Sequence, residues 1–492
     1  MTTQKLTWPQ ATLSTLSVLR TEALSGLVVA LALIPNAISF SIIAGVDPRV
    51  GLYATFTMAV TTALLGGRPA MISSATAAMT LIVAPLGQEH GLDYILAATI
   101  LAGVFQAVLG MVGVAKLMRF VPPSVMTGFV NALAVLIFTA QVPHFAGDGW
   151  VVYSLIGVGL AVIAVLPKLT RAIPAPLVSI VVITAAAWGG GLSMPTVGEM
   201  GHLPEAFPVP IVPDVPLTLE TLQTIAPVAF TLALAGLMES LMTAKLVDEM
   251  TDTRSDKGKE ARGQGIANII TGFFGGMAGC ATVGPTVINV KSKARTRAST
   301  FLAGVFLLLL VVVLSEPVAA IPVAALVAVM IYVSITTMDW HSVHPGTLRR
   351  MPWSETFVMV VTFGVVVATH NLALGVFVGV ITSMVVFARR AAHLTEVTSV
   401  LDPEGGARVY FVHGELFFAS SNEIVWQFDY NEENIDHVTI DLSGAHVWDS
   451  SAVAALDHAT EKFSRNDIEV EITGLNASSA ALHRELSGTL PR

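Results

Sequence analysis

"MISSATAAMTLIVAPL" (residues 71–86) and "GCATVGPTVINVKSK" (279–293) are apolar enough to enter a membrane and too short to cross one. A helix needs roughly 20 apolar residues to span about 30 Å of hydrocarbon. Counting or dropping either piece reverses the side of every loop after it, so their reading decides the fold.

The surrounding chain has 492 residues, 53% hydrophobic and 12% charged, with a mean hydropathy of +0.72, outside the range of soluble globular proteins. Apolar segments fall at roughly 23–43, 50–66, 74–86, 93–114, 123–139, 150–167, 174–190, 222–247, 264–278, 284–291, 299–314, 317–336, 354–369 and 372–388. That pattern predicts a polytopic α-helical membrane protein of 14 segments. No cleavable leader is expected, because the first apolar segment follows a polar stretch and lacks a small-residue cleavage site. The single cysteine, Cys280, excludes internal disulfides.

An even count puts both termini on one side. The loops on that side then carry 20 of the 21 Lys and Arg residues of 1–390, with Arg49 alone opposite. This is the asymmetry expected of cytoplasmic loops, and it places both termini in the cytoplasm of a multi-pass cell (inner) membrane protein. The proline-rich 192–221 loop, with three glutamates, an aspartate and no Lys or Arg, fits an outward connector between two halves of seven. The halves, about 21–191 and 222–390, then form an inverted repeat, with the short pieces third in each.

Matched short helices are the best sequence pointer to a transporter's central site. In the first piece Ser73 or Ser74 is placed to cap a helix that Pro85 ends. In the second, Thr282 or Gly284 caps, with Pro285 at the favoured first helical position. Two helix N-termini near mid-membrane present free N–H groups and positive dipole ends to the space between them, an anion site without a fixed cation. Small residues (Ala75, Thr76, Ala77, Gly284, Thr286) leave the backbone accessible. The alternative is that these Ala/Gly/Thr-rich stretches serve only close helix packing. Asn36 and Phe40, four apart on the first segment and next to Pro35, which is expected to interrupt the helix, are placed to line a cavity or to pack between helices.

"TLALAGLMESLMTAK" (231–245) sets one carboxylate, Glu239, in an apolar run. A charged group buried in a membrane is costly and marks a pathway or relay. A proton carried on Glu239 from one side to the other would offset the anion's charge and couple uptake to the proton gradient. Two alternatives stand beside it: a sodium site of Glu239 and Thr243 with backbone carbonyls, and a structural hydrogen bond to a neighbouring helix.

After residue 390 the composition changes. Residues 391–492 hold 5 Lys/Arg against 17 Asp/Glu. From 409 strands and helices alternate, which predicts a small α/β domain with parallel strands over about 396–492. Its acidic surface argues against nucleic acid. The turn at Asp449–Ser450–Ser451 caps a helix.

"IPNAISFSIIAGVDPRVGLYATF" (34–56), "GLMESLMTAKLVDEMT" (236–251), "NIITGFFGGMAGCATVGPTVINVKSKARTRAST" (268–300) and "IDLSGAHVWDSSAVAALD" (440–457) together resemble a prokaryotic member of the SulP, or sulfate permease, family of anion transporters, which includes prestin. The resemblance implies core and gate domains, an elevator-like movement, a homodimer in the lipid bilayer and a C-terminal STAS domain. It implies an anion site of Asn36, Phe40, Thr76, Ala77, Thr282, Val283, Gly284 and Thr286, with substrates among sulfate, bicarbonate, chloride and dicarboxylates. It also implies regulatory phosphorylation at Ser450 or Ser451, beside simple capping. One departure is that animal members carry an arginine about where this chain has Pro285, which weighs against prestin-like chemistry. The expected function is secondary active anion transport, as proton symport of a dicarboxylate such as fumarate or of an inorganic anion, with no cofactor and no metal. Sodium coupling and uncoupled exchange or conduction are the alternatives. No H-E-x-x-H, G-x-S-x-G or phosphate-loop motif suggests an enzyme.

Overall fold

The computed structural model describes residues 8–113, 121–144, 149–169, 174–370, 372–392, 395–402, 406–430 and 435–489. The first half comprises α1 (Trp8–Ala44), α2 (Pro48–Leu65), β1 (Ser73–Ala75), α3 (Ala77–His90), α4 (Leu92–Val112), α5 (Pro123–Gln141), α6 (Trp150–Leu169) and α7 (Ala175–Gly189). The second half has α8 (Leu219–Thr251), α9 (Lys257–Phe273), β2 (Gly279–Ala281), α10 (Val283–Lys291) and α11 (Arg297–Val313). It continues through α12 (Ser315–Ala319), α13 (Val323–Thr337), α14 (Trp340–Val343), α15 (Pro345–Arg350), α16 (Trp353–Thr369) and α17 (Leu372–Ala392). Each of the 14 expected segments meets a helix, the twelfth being shared by α12 and α13.

Among the described residues six helices are long and apolar enough to cross a membrane, and four shorter apolar helices accompany them. Prolines at the first turn start α2, α5 and α7, where a missing N–H costs nothing. The α11 N-terminus is capped from a distance. Glu22 of α1 accepts hydrogen bonds from the N–H groups of Arg295, Thr296 and Ser299, at 2.8, 3.1 and 3.2 Å. This fixes α1 to the second half.

The helices pack in two groups. Helices α1 to α4 lie against α8 to α11, whereas α5, α6 and α7 lie against α13, with α5 also on α16. Each group draws on both halves, the division expected of core and gate. The groups meet where α1 packs on α7 and α13, and α3 on α5.

Four details differ from the sequence reading. Ser73 and Ser74 belong to β1 and cap nothing, because their backbone groups pair with β2; the cap is Thr76. Pro35 and Pro85 sit inside α1 and α3, which continue through them. A proline removes one ladder bond, and a packed helix tolerates that with at most a kink. Pro285 is the third residue of α10, whose N-cap is Thr282.

The chain divides into two compact units at Val380 and Ile381, within α17. The second is a four-stranded sheet of β3 (Glu396–Leu401), β4 (Gly406–Leu416), β5 (Ile435–Val447) and β6 (Glu469–Thr473), in that order. The helices α18 (Ser421–Trp426), α19 (Ser450–Ser464) and α20 (Ala477–Leu486) complete it. Pairs β4/β5 and β5/β6 are parallel as expected, but β3 adds an antiparallel edge. That strand is exposed along most of its length, so it carries little apolar signal. Val412, Leu416, Ile440, Leu442, Leu456 and Phe463 form a separate buried core.

Candidate anion site

Three-residue strands in a helical protein need a reason, and here it is the two breaks ahead of α3 and α10. β1 and β2 pair antiparallel, Ser73 with Ala281, Ser74 with Cys280 and Ala75 with Gly279. The ladder satisfies backbone groups that the interrupted helices leave free, which membrane interiors demand. Each strand runs into its helix within two residues, so α3 and α10 begin from opposite ends of one short strand pair.

The pairing extends beyond the strands. Thr282 N–H and Thr282 Oγ1 both donate to the Ile72 carbonyl, at 2.9 and 3.2 Å. Thr286 Oγ1 accepts from Ile72 N–H at 2.9 Å. On the other edge the amide of Asn268 takes both backbone groups of Gly279. Its Oδ1 accepts from Gly279 N–H at 2.8 Å and its Nδ2 donates to the Gly279 carbonyl at 2.9 Å. Asn268 also donates to Gln106 of α4 at 2.8 Å. A side chain thus serves as a third strand of one residue.

At α3, Thr76 is buried and its Oγ1 accepts from Met79 N–H at 3.4 Å. Ala77 is 8% exposed. At α10, Thr282 makes no side-chain cap, which leaves the first N–H groups free of it. Val283 is 42% exposed, and a methyl built on Gly284 would meet nothing within 4 Å. The α10 end therefore opens into free space. Thr286 is fully buried with its hydroxyl engaged at Ile72, and so supports the turn from behind.

Phe40 is buried, and Asn36 is half-buried with no hydrogen-bond partner for its amide among the described residues. Both ride on α1, which packs against β1, α3 and α10. Glu239 is half-buried on α8, and its Oε2 accepts from Cys280 Sγ at 2.9 Å. Cys280 Sγ in turn lies 3.3 Å from Thr76 Oγ1. The neighbouring Ser240 Oγ accepts from Ala281 N–H at 3.1 Å, which ties α8 to β2. Thr243 is fully buried, and its hydroxyl donates to the main-chain carbonyl of Glu239 at 2.8 Å.

The structure therefore joins Glu239 to Thr76 through a residue that sequence reasoning counted only as an unpaired cysteine. Asn268, Gln106 and Ser240 were also missed. Their spacing carries no motif; only the fold brings α4, α8 and α9 to the strand pair. In the second unit Asp449 caps α19, its Oδ1 accepting from Ala452 N–H at 3.0 Å, and both Ser450 and Ser451 are exposed.

The fold and site define a helical membrane bundle with paired interrupted helices and a separate α/β domain. The chain matches the sulfate permease family over residues 19–150 and 149–362, and the STAS domain over 400–487. It is 51% identical over 469 residues to the putative sulfate transporter YbaR of Bacillus subtilis, covering 95% of this chain and 97% of that one. It is 26% identical to the bicarbonate transporter BicA of Picosynechococcus, over 80% of this chain and 74% of that one. Among solved structures, murine Slc26a9, an anion transporter in the inward-facing state, superposes with a TM-score of 0.81 at 17% identity, covering 94% of this chain and 87% of that one. The chain belongs to the sulfate permease family. It is an anion transporter and not an enzyme.

Proposed function

We propose that the protein is a secondary active transporter that carries an anion inward together with a proton, with Glu239 as the proton carrier. The anion is taken to be a dicarboxylate such as fumarate, or an inorganic anion such as the sulfate or bicarbonate named for its relatives. It would lie between the N-termini of α3 and α10, met by the N–H groups of Ala77, Val283 and Gly284, with Asn36 and Phe40 on the adjoining helix and Thr76, Thr282 and Thr286 shaping the two turns. The observation that carries the reading is the continuous link from Glu239 through Cys280 to Thr76, the cap of α3. It sets the one carboxylate of the α8 centre beside one of the two anion-facing helix ends.

An ionised carboxylate there repels the anion, so the proton and the anion favour each other's binding. Sodium is the weaker alternative. The partner that Glu239 shows is a thiol, a soft group ill-suited to a hard cation. The two packing groups support an elevator-like movement of α1–α4 with α8–α11 past the rest, in a homodimer in the cell membrane with the STAS domain in the cytoplasm, where Ser450 and Ser451 are open to phosphorylation.

The test is uptake by proteoliposomes of labelled sulfate, bicarbonate and fumarate under imposed pH or sodium gradients. Wild type is expected to accumulate one of them on a pH gradient. Glu239→Gln is expected to keep exchange of that anion and lose accumulation. Unchanged pH-driven accumulation by that variant would overturn the proposal.

A further inference from the structure

The Glu239–Cys280–Thr76 contact is more than a chain of neighbours, because each of its three groups can reverse its hydrogen-bond direction. A carboxylate accepts when ionised and donates when protonated; thiol and hydroxyl do both. We propose that Cys280 is the positioning residue through which protonation of Glu239 reaches the anion site, by reversing the polarity of the hydrogen bonds that end at the cap of α3. The inference rests on the proton reading given above.

With Glu239 ionised, the Cys280 S–H donates to Glu239 Oε2 (2.9 Å), and Cys280 Sγ is left to accept from the Thr76 O–H (3.3 Å). The Thr76 proton then points away from the anion. When Glu239 gains a proton, its O–H donates to Sγ. The S–H turns to Thr76 Oγ1, and the Thr76 O–H is displaced from the sulfur. It becomes a further donor beside the first N–H groups of α3, whose helix it already caps. No proton passes along the chain: one is added at Glu239 and the other two rotate about their own C–S and C–O bonds. The positive end of the α3 dipole is less offset when the carboxylate is neutral, so proton and anion bind cooperatively.

Cys280 is hydrogen-bonded to both Glu239 and Thr76, and the Thr76 hydroxyl also lies near the carboxylate. Helix α8 packs against α3, α4, α9, α10 and β2. On α8, Lys245 pairs with Glu249, Asp248 with Arg68 and Lys257, and Glu220 lies at the opposite end. On α3, Glu89 and His90 adjoin each other in the last turn. Asp93 begins α4 and accepts from Asp214 N–H. On α9, Glu260 accepts the N–H groups of Gly67 and Arg68, and Lys259 and Arg262 are exposed. On α10, Lys291 is in the final turn. Among the described residues, the titratable side chain hydrogen-bonded to Glu239 is Cys280. Its strand position, paired with Ser74, holds the sulfur between α8 and α3.

The experiment measures equilibrium binding, at pH 6 and pH 8, of whichever of sulfate, bicarbonate and fumarate the wild type accumulates. Purified full-length protein is used, with wild type, Cys280→Ser, Cys280→Ala, Cys280→Val and Glu239→Gln compared. Wild-type Kd is expected to rise about tenfold from pH 6 to pH 8, within the usual span of coupling between two sites. Cys280→Ser, which still donates and accepts, keeps that ratio. Cys280→Ala and Cys280→Val, which do neither, lower it at least about threefold, leaving the direct charge repulsion. A structural role would change Kd at both pH values alike and leave the ratio intact. A wild-type ratio in whichever of the Ala and Val variants folds overturns the relay; Val is β-favouring and keeps bulk in β2 should Ala fail. If Glu239→Gln keeps the ratio too, it is the proton reading that fails; if it loses the ratio while the Cys280 variants keep it, only the relay does.

Discussion

Gly279 shows how tightly single residues are held at the strand pair. A methyl there would meet the Ser74 carbonyl oxygen at 2.6 Å and Met58 Cγ at 2.8 Å. The first is backbone paired in the ladder and cannot step aside. Overpacking of this kind costs about 1–3 kcal/mol. Gly279→Ala is therefore expected to lower the thermal midpoint in detergent and to weaken anion binding together, since the shifted strand carries α10 with it. A variant with normal stability and normal affinity would show that the pairing does not fix the site. Asn268, itself bonded to Gln106, braces the same residue from the far side. Nothing in their separation along the chain announced this, because the contact exists only once α4 and α9 are packed.

At the scale of the element, α3 and α10 were legible as short helices at matched places, and the charge placement of the loops required both. The α3 cap was not, whereas Thr282, one of the two residues offered for α10, does stand at its N-cap, though without a side-chain cap bond. Ser73, Ser74 and Thr76 are all competent caps by type, and the choice falls on Thr76 because the β2 partner takes the backbone of the other two into a ladder. Gly284 tests the functional assignment of α10. It faces open space, so Gly284→Ala strains nothing in the fold and replaces glycine with a better helix former. The expected outcome is an unchanged or slightly raised thermal midpoint with anion affinity reduced about tenfold, about 1.4 kcal/mol, because the methyl stands where the anion must approach the N–H groups. Unaltered affinity would move the anion away from this helix end.

At the scale of the molecule, the second unit has a core of its own, in which Tyr410, Phe428, Tyr430 and Phe463 meet in edge-to-face and tilted ring contacts. A fragment of residues 396–492 is expected to fold alone and to unfold cooperatively on heating, followed by circular dichroism. Burial pushes the Tyr430 hydroxyl above its ordinary value, and that hydroxyl donates to the Val425 carbonyl at 2.6 Å. A group whose pKa is raised on folding gives stability that is full below the unfolded value, about 10, and is lost as pH climbs above it. The fragment should therefore lose stability above about pH 10, and Tyr430→Phe should lose less over the same interval. An identical alkaline loss in the two would show that Tyr430 does not carry it.

The sequence by itself determined that this is a membrane protein of two opposed halves with an acidic α/β tail. Hydropathy, loop charge and strand–helix alternation act locally, through transfer of each segment between water and hydrocarbon, and need no knowledge of neighbours. It also determined that Glu239 is exceptional, since a carboxylate in an apolar run is costly wherever its partners lie. What only the tertiary structure decided is who those partners are. The strand pair, the bracing amide of Asn268 and the contact of Glu239 with Cys280 join residues from 11 to about 200 positions apart. Short-range directional bonds of this kind depend on distances that helix packing sets, and no local pattern encodes them.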